Sequence, residues 1–242
     1  MVCEEIMQIL EEQSPAALAC DWDNVGLLIG SPEKEVNKIY VAVDATEEVV
    51  EEAVNSGADL LLTHHPMIFK GVKQITSGDF LGKRIIKLIQ SDTAYFAMHT
   101  NFDVRGMGEL AGAIMGLKDD SVLSVSGEYN GAPVGMGRVG NLLAPMDLGH
   151  CAEFVREAFS LKQVKVFGDT KRLVMRAAIC PGSGKSFIQN AIEAGAGVYI
   201  TGDIDHHDGL DAVEQGLCII DAGHYGLEHI FVSYMKNYLT KS

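Results

Sequence analysis

Asp59-Leu-Leu-Leu-Thr-His-His-Pro66 is an apolar run that stops on two adjacent imidazoles and a proline. Leu60, Leu61 and Leu62 are continuous rather than alternating, the pattern of a strand covered on both faces. Pro66 has no N–H to give to a ladder, so the strand should end near Thr63 and leave His64 and His65 at its mouth. Upstream, residues 39–43 read as a β-branched strand ending on Asp44, and 47–56 as a helix closed by Gly57. Strand, helix, strand is the order of a crossover unit, so the stretch predicts an α/β fold with mostly parallel or mixed sheets flanked by helices.

Two other stretches repeat the design. Ala94-Tyr-Phe-Ala-Met-His-Thr-Asn-Phe-Asp103 and Cys218-Ile-Ile-Asp-Ala-Gly-His-Tyr-Gly-Leu-Glu228 each run from apolar residues into histidine and a carboxylate. Three strand ends sharing one crevice would gather His64, His65, Asp103, His224 and Glu228. A catalytic zinc takes about three protein ligands, so five donors suit two divalent ions per subunit, roughly 3.5–4 Å apart and sharing a carboxylate. Glu228 is the expected bridge, because it follows His224 by one helical turn if Gly223 opens a helix. His99, at its strand end, is the candidate catalytic proton-transfer group rather than a ligand. Imidazole and carboxylate together suit zinc, iron or manganese.

Around these stretches the texture is that of two lobes. Residues 3–13 have Ile6, Ile9 and Leu10 at helical spacing, with Glu4, Glu5, Glu11 and Glu12 opposite. Asp21-Trp-Asp-Asn-Val-Gly-Leu-Leu-Ile-Gly30 places the one tryptophan in a polar turn that leads into an apolar run. Helices are expected over 81–90 and 108–116, and a strand over 94–99. Between Ser126 and Asn141 five glycines crowd together, which marks the lobe boundary. A first α/β lobe over 1–125, completed by 224–242, and a second over 126–223 are therefore expected. In the second, 174–180, 198–201 and 218–221 read as strands, with helices over 147–159, 184–194 and 209–215 between them.

Composition narrows the classes of function. A net charge of −14 with 47% hydrophobic residues describes a globular chain without the basic footprint of a nucleic-acid binder, and an acidic crevice attracts dications. Five scattered cysteines with no Cys-x-x-Cys pair fit a reducing compartment. No apolar run approaches the roughly 18 residues of a membrane span and Met-Val-Cys-Glu-Glu lacks a basic leader, so the expectation is a cytoplasmic protein with no membrane partner. Gly184-Lys185-Ser186 ends like a phosphate-binding loop, but Ile179 stands where the first glycine is required. That stretch reads instead as a tight turn opening a helix, whose N-terminus could hold an anion. Asp203-Ile-Asp-His-His-Asp-Gly209 approaches a calcium loop, yet its glycine comes one place late. His206 and His207 should flank a helix start capped by Asp203 or Asp205, where either could stand behind the metal ligands.

Asp21–Gly30, Thr63-His64-His65-Pro66, His99-Thr100-Asn101-Phe102-Asp103 and Asp221-Ala-Gly-His-Tyr225 with Glu228 together resemble the signature segments of the Nif-three-like dinuclear metal proteins, the GTP cyclohydrolase type 2 homologs. The resemblance covers nearly the whole chain and fits the short form without an inserted domain. It implies His64, His65, Asp103, His224 and Glu228 as ligands of two metals, and a two-lobed subunit assembled as a toroidal homohexamer. The function expected is a dinuclear metal-dependent hydrolase acting on a small nucleotide-like or heterocyclic substrate. The alternative is a non-catalytic metal-binding, metallochaperone or storage ring.

Overall fold

The computed structural model describes residues 1–241, which divide into two compact units. The first comprises Met1–Phe102 and the C-terminal segment from Phe231; the second is Asp103–Ile230. The chain thus passes from one to the other at Phe102–Asp103 and returns at Ile230–Phe231, rather than near residues 125 and 224.

Unit 1 is built on a four-stranded sheet. Its strands are β1 (Gly26–Ile29), β2 (Ile39–Ala42), β3 (Leu60–Thr63) and β4 (Ala94–Ala97), in the order β1-β4-β3-β2. β2, β3 and β4 are mutually parallel and β1 is an antiparallel edge. All four residues of β3 are buried, as expected for an inner strand covered on both faces. Leu61, Tyr95 and Ala97 pack with Val50 and Ala53 of the helix Glu47–Asn55 and Leu88 of the helix Phe80–Gln90. Both helices start on side-chain caps: Thr46 accepts from the Val49 amide and Asp79 from the Gly82 amide.

Unit 2 carries a six-stranded mixed sheet. β5 (Lys118–Tyr129), β6 (Ala132–Asp147), β7 (Lys165–Phe167), β8 (Leu173–Ser183), β9 (Val198–Gly202) and β10 (Cys218–Asp221) are ordered β5-β6-β8-β9-β10-β7. β8, β9 and β10 run parallel, while β5, β6 and β7 pair antiparallel. The helices Leu148–Ala158, Ile188–Glu193 and His206–Glu214 belong to this unit, the first capped by Asp147 on the His150 amide. Tyr199, Ile219, Ala178 and Val139 lie in its core.

The glycine-rich stretch is an element, not a linker. Gly127, Gly135, Gly137 and Gly140 lie in β5 and β6, and Asn130-Gly131 forms the tip with φ of 51° and 78°, the left-handed pair of a tight hairpin. The glycines permit close backbone approach: a Cβ on Gly135 would lie 2.0 Å from the Ser124 carbonyl oxygen and 2.8 Å from the Ser126 nitrogen. Among the described residues no helix is long and apolar enough to cross a membrane.

Gly135→Ala should therefore destabilise the protein by about 1–3 kcal/mol, the usual cost of forcing atoms into a filled space. Gly127→Ala, where a Cβ meets nothing within 4 Å, should change stability by less than about 0.5 kcal/mol. Urea unfolding of the two variants checks the contrast, and equal midpoints would show that the hairpin gives way at Gly135.

Candidate metal centre

In unit 1 the ends of β3 and β4 bring three imidazoles together. His64, His65 and His99 each offer a ring nitrogen, and these nitrogens lie within 4.8 Å of one another. His64 is fully buried; the other two are largely so. Each ring has its Nδ1 committed to an oxygen. His64 Nδ1 donates to the Met98 carbonyl at 2.8 Å, His65 Nδ1 meets Asp44 Oδ1 at 2.8 Å, and His99 Nδ1 meets Asp23 Oδ1 at 2.9 Å. A carbonyl or an ionised carboxylate can only accept, so Nδ1 carries a proton, and in the neutral ring Nε2 is then the nitrogen that can coordinate. That is the arrangement by which proteins orient metal-binding histidines. Phe231, 5.3 Å from the His64 ring and 5.1 Å from Phe102, backs the cluster from the C-terminal segment of the same unit.

Asp23 holds His99 from a turn. Its buried carboxylate also accepts the Thr100 amide at 3.0 Å and the Thr100 hydroxyl. Burial pushes its pKa up, but the hydrogen bonds from His99 and Thr100 outweigh burial and hold it well below the usual carboxylate range. An ionised Asp23 is a fixed negative partner for the His99 ring.

Unit 2 builds a second donor set by the same device. His224 and Glu228 lie on the short helix His224–Glu228, which Gly223 opens, and His224 Nε2 is 3.2 Å from Glu228 Oε2. His224 Nδ1 meets Asp203 Oδ2 at 2.7 Å. The hydrogen bond to Glu228, helped by Asp203 and opposed by burial, raises the His224 pKa to about 9. A cation taken at Nε2 must displace that proton, so uptake there releases one. Asp103 opens the turn Asp103–Met107, and buried Cys180 feels both Asp103 and Glu228. Burial, reinforced by these two carboxylates, pushes the Cys180 thiol up to about 12, which leaves it protonated and inert. Glu228 is itself buried, and Gly182 makes room for it: a Cβ there would lie 2.5 Å from Glu228 Oε1.

The remaining sequence candidates resolve into packing. Lys185 is ion-paired to Asp205 and Asp208 at 2.8 and 2.9 Å, and the Gly-Lys-Ser stretch is, as expected, a turn that opens a helix: Gly184 leads into the 3-10 turn Lys185–Phe187 and then the helix Ile188–Glu193. His206 and His207 are exposed and touch each other at the start of their helix. Asp205 occupies the cap position without a capping hydrogen bond, and Asp203 is committed to His224. Asp23, Asp44 and Asp203 each orient an imidazole, a role that motif reading missed. The signal was topological for two of them: Asp44 follows β2 beside β3, and Asp203 follows β9 beside β10, so parallel pairing sets carboxylate next to imidazole.

The family model described as Duf34/NIF3 (NGG1p interacting factor 3) matches residues 1–242. A Clostridium perfringens protein named GTP cyclohydrolase 1 type 2 homolog is 36% identical over 230 residues, covering 94% of this chain and 87% of its own. Among solved structures, a Bacillus cereus protein related to NIF3 superposes with a TM-score of 0.93 at 26% identity, covering all of this chain and 93% of that one. Reduced HcgD from Methanocaldococcus jannaschii gives 0.85 at 28%, with coverages of 100% and 94%. With a family model matched from end to end, the chain belongs to the Duf34/NIF3 family.

Proposed function

We propose that this chain holds two divalent cations through His64, His65, Asp103, His224 and Glu228 and serves as a metal-dependent hydrolase for a small nucleotide-like or heterocyclic substrate. The observation that carries the reading is the commitment of Nδ1: His64, His65 and His224 each spend that nitrogen on an oxygen, the device that orients a metal-binding imidazole to coordinate through Nε2, and at His224 a cation would replace the contact with Glu228. Asp103 and Glu228, both close enough to raise the Cys180 thiol, add carboxylate donors of the kind that accompany imidazole at divalent-metal sites. The relatives' name, GTP cyclohydrolase 1 type 2 homolog, supports a nucleotide-like substrate. Bound there, a pair of divalent cations supplies an acidified water nucleophile and polarises the group under attack.

The chain's own residues do the rest. His99 Nε2 takes the proton of the attacking water, and ionised Asp23 stabilises the imidazolium that results. Thr100, donating twice to Asp23, keeps that carboxylate from turning away.

Glu228→Ala should lower bound metal from two ions per chain to one or none, more than any single histidine change, because a carboxylate placed there would serve both ions. Elemental analysis of the folded variant checks it, and retention of two ions would remove the bridge. His99→Ala should keep both ions and lower turnover of a nucleotide panel by roughly 10²–10⁴-fold. Loss of an ion would make His99 a ligand, and full metal without turnover in the unaltered protein would favour a storage role. The assembly is proposed to be a toroidal homohexamer, so light scattering should return a mass well above the 26.1 kDa of one chain.

A further inference from the structure

Two exposed aromatic rings edge the histidine cluster of unit 1 and take no part in the chemistry above. Trp22 is 63% exposed and Phe69 is 48% exposed. Their ring centroids lie 5.9 and 5.8 Å from that of His99, at interplanar angles of 74° and 85°. Both rings sit on anchored loops. Trp22 is followed by Asp23, whose buried carboxylate is tied to His99 and Thr100. Asn24, the next residue, donates from Nδ2 to the Ile68 carbonyl at 2.6 Å, one residue before Phe69. The two ring-bearing loops are thus pinned to each other and to the catalytic histidine, while the rings stay open to water.

Tryptophan and phenylalanine carry roughly 150–250 Å² of surface each, and burying it is the usual gain from having them. Holding such rings rigid and uncovered beside a reactive group preorganises a contact surface for something that arrives later. Aromatic faces take planar heterocycles by stacking. The same loop supplies exposed Lys70 and Lys73, cations in a chain whose net charge of −14 would otherwise repel a phosphorylated ligand.

We propose that Trp22 and Phe69 form a stacking platform that selects a planar nitrogen heterocycle of the purine or pterin kind and positions it against His99. This rests on the reading of the centre as a hydrolytic metal site, and makes Trp22 and Phe69 the residues that set its substrate class.

Trp22 is the only tryptophan, so its fluorescence reports on the platform directly. The full-length protein loaded with zinc is titrated with guanosine, GTP and inorganic tripolyphosphate. Guanosine and GTP should quench Trp22 saturably and tripolyphosphate should not. Phe69→Ala should raise the half-saturating concentration on the order of tenfold, and Trp22→Ala, followed by equilibrium dialysis, should do the same, whereas Trp22→Phe should stay within about threefold of the unaltered protein. Equal quenching by GTP and tripolyphosphate, or unchanged binding in both alanine variants, overturns the platform. So does Trp22 emission that follows protein concentration and ignores guanosine, which would make the rings a contact with a second copy. Metal content is measured on the same samples: saturable guanosine binding with no metal retained would sink the metal reading and leave the platform standing. Two ions retained without heterocycle quenching would do the reverse.

Discussion

An imidazole ring has two nitrogens and, when neutral, one proton, so it serves as a directed ligand or base only when something fixes which nitrogen keeps that proton. In this chain the fixing group is an oxygen at a strand end or in an adjoining turn. Met98, Asp44, Asp23 and Asp203 hold His64, His65, His99 and His224 respectively. For His65 and His224 the geometry follows from parallel pairing, since neighbouring parallel strands end on the same side of the sheet and set a carboxylate after one beside an imidazole after the other. The rigidity of the donors is therefore inherited from backbone hydrogen bonding in the two sheets.

That dependence explains where the cores are strictest. β3 and β9 are buried along their whole length, and each lies between two parallel neighbours that fix its register. A slip of one residue would turn every side chain of such a strand to the opposite face and carry the polar residues at its end with it. The ladder Ile39↔Leu60↔Ala94 thus sets the positions of Asp44, His65 and His99 at once. The histidine cluster and the sheet thus depend on the same residues.

Much of this was legible from sequence, and the parts that were not share a cause. The apolar runs of 60–62 and 218–220 announced buried strands because continuous hydrophobicity needs cover on both faces. The histidines and carboxylates that close them stood out as candidate ligands for the same reason, since polar residues directly after such runs need a purpose. Met98, Asp44 and Asp203 were not visible as orienting groups, because what they do depends on which strand lies beside which. The glycines of 127–140 were misread because close backbone approach across a hairpin and flexibility in a linker call for the same residue. Only pairing partners tell them apart, and Ser124 opposite Met136 beside Gly135 is such a partner.

Asp23 shows how one turn can serve structure and chemistry together. Its carboxylate lies out of water, a position that opposes ionisation, and three donors from His99 and Thr100 reverse the balance. A buried charge so compensated resists movement, because displacing it exposes a desolvated anion without its donors. Trp22 and Asn24, on either side of Asp23, inherit that immobility through the backbone, and Asn24 passes it to the Phe69 loop through the Ile68 carbonyl. A single desolvated carboxylate thereby orients the His99 ring and stiffens the rim around it, so a substitution at Asp23 would disturb both, whereas changes at Trp22 or Phe69 touch the rim alone.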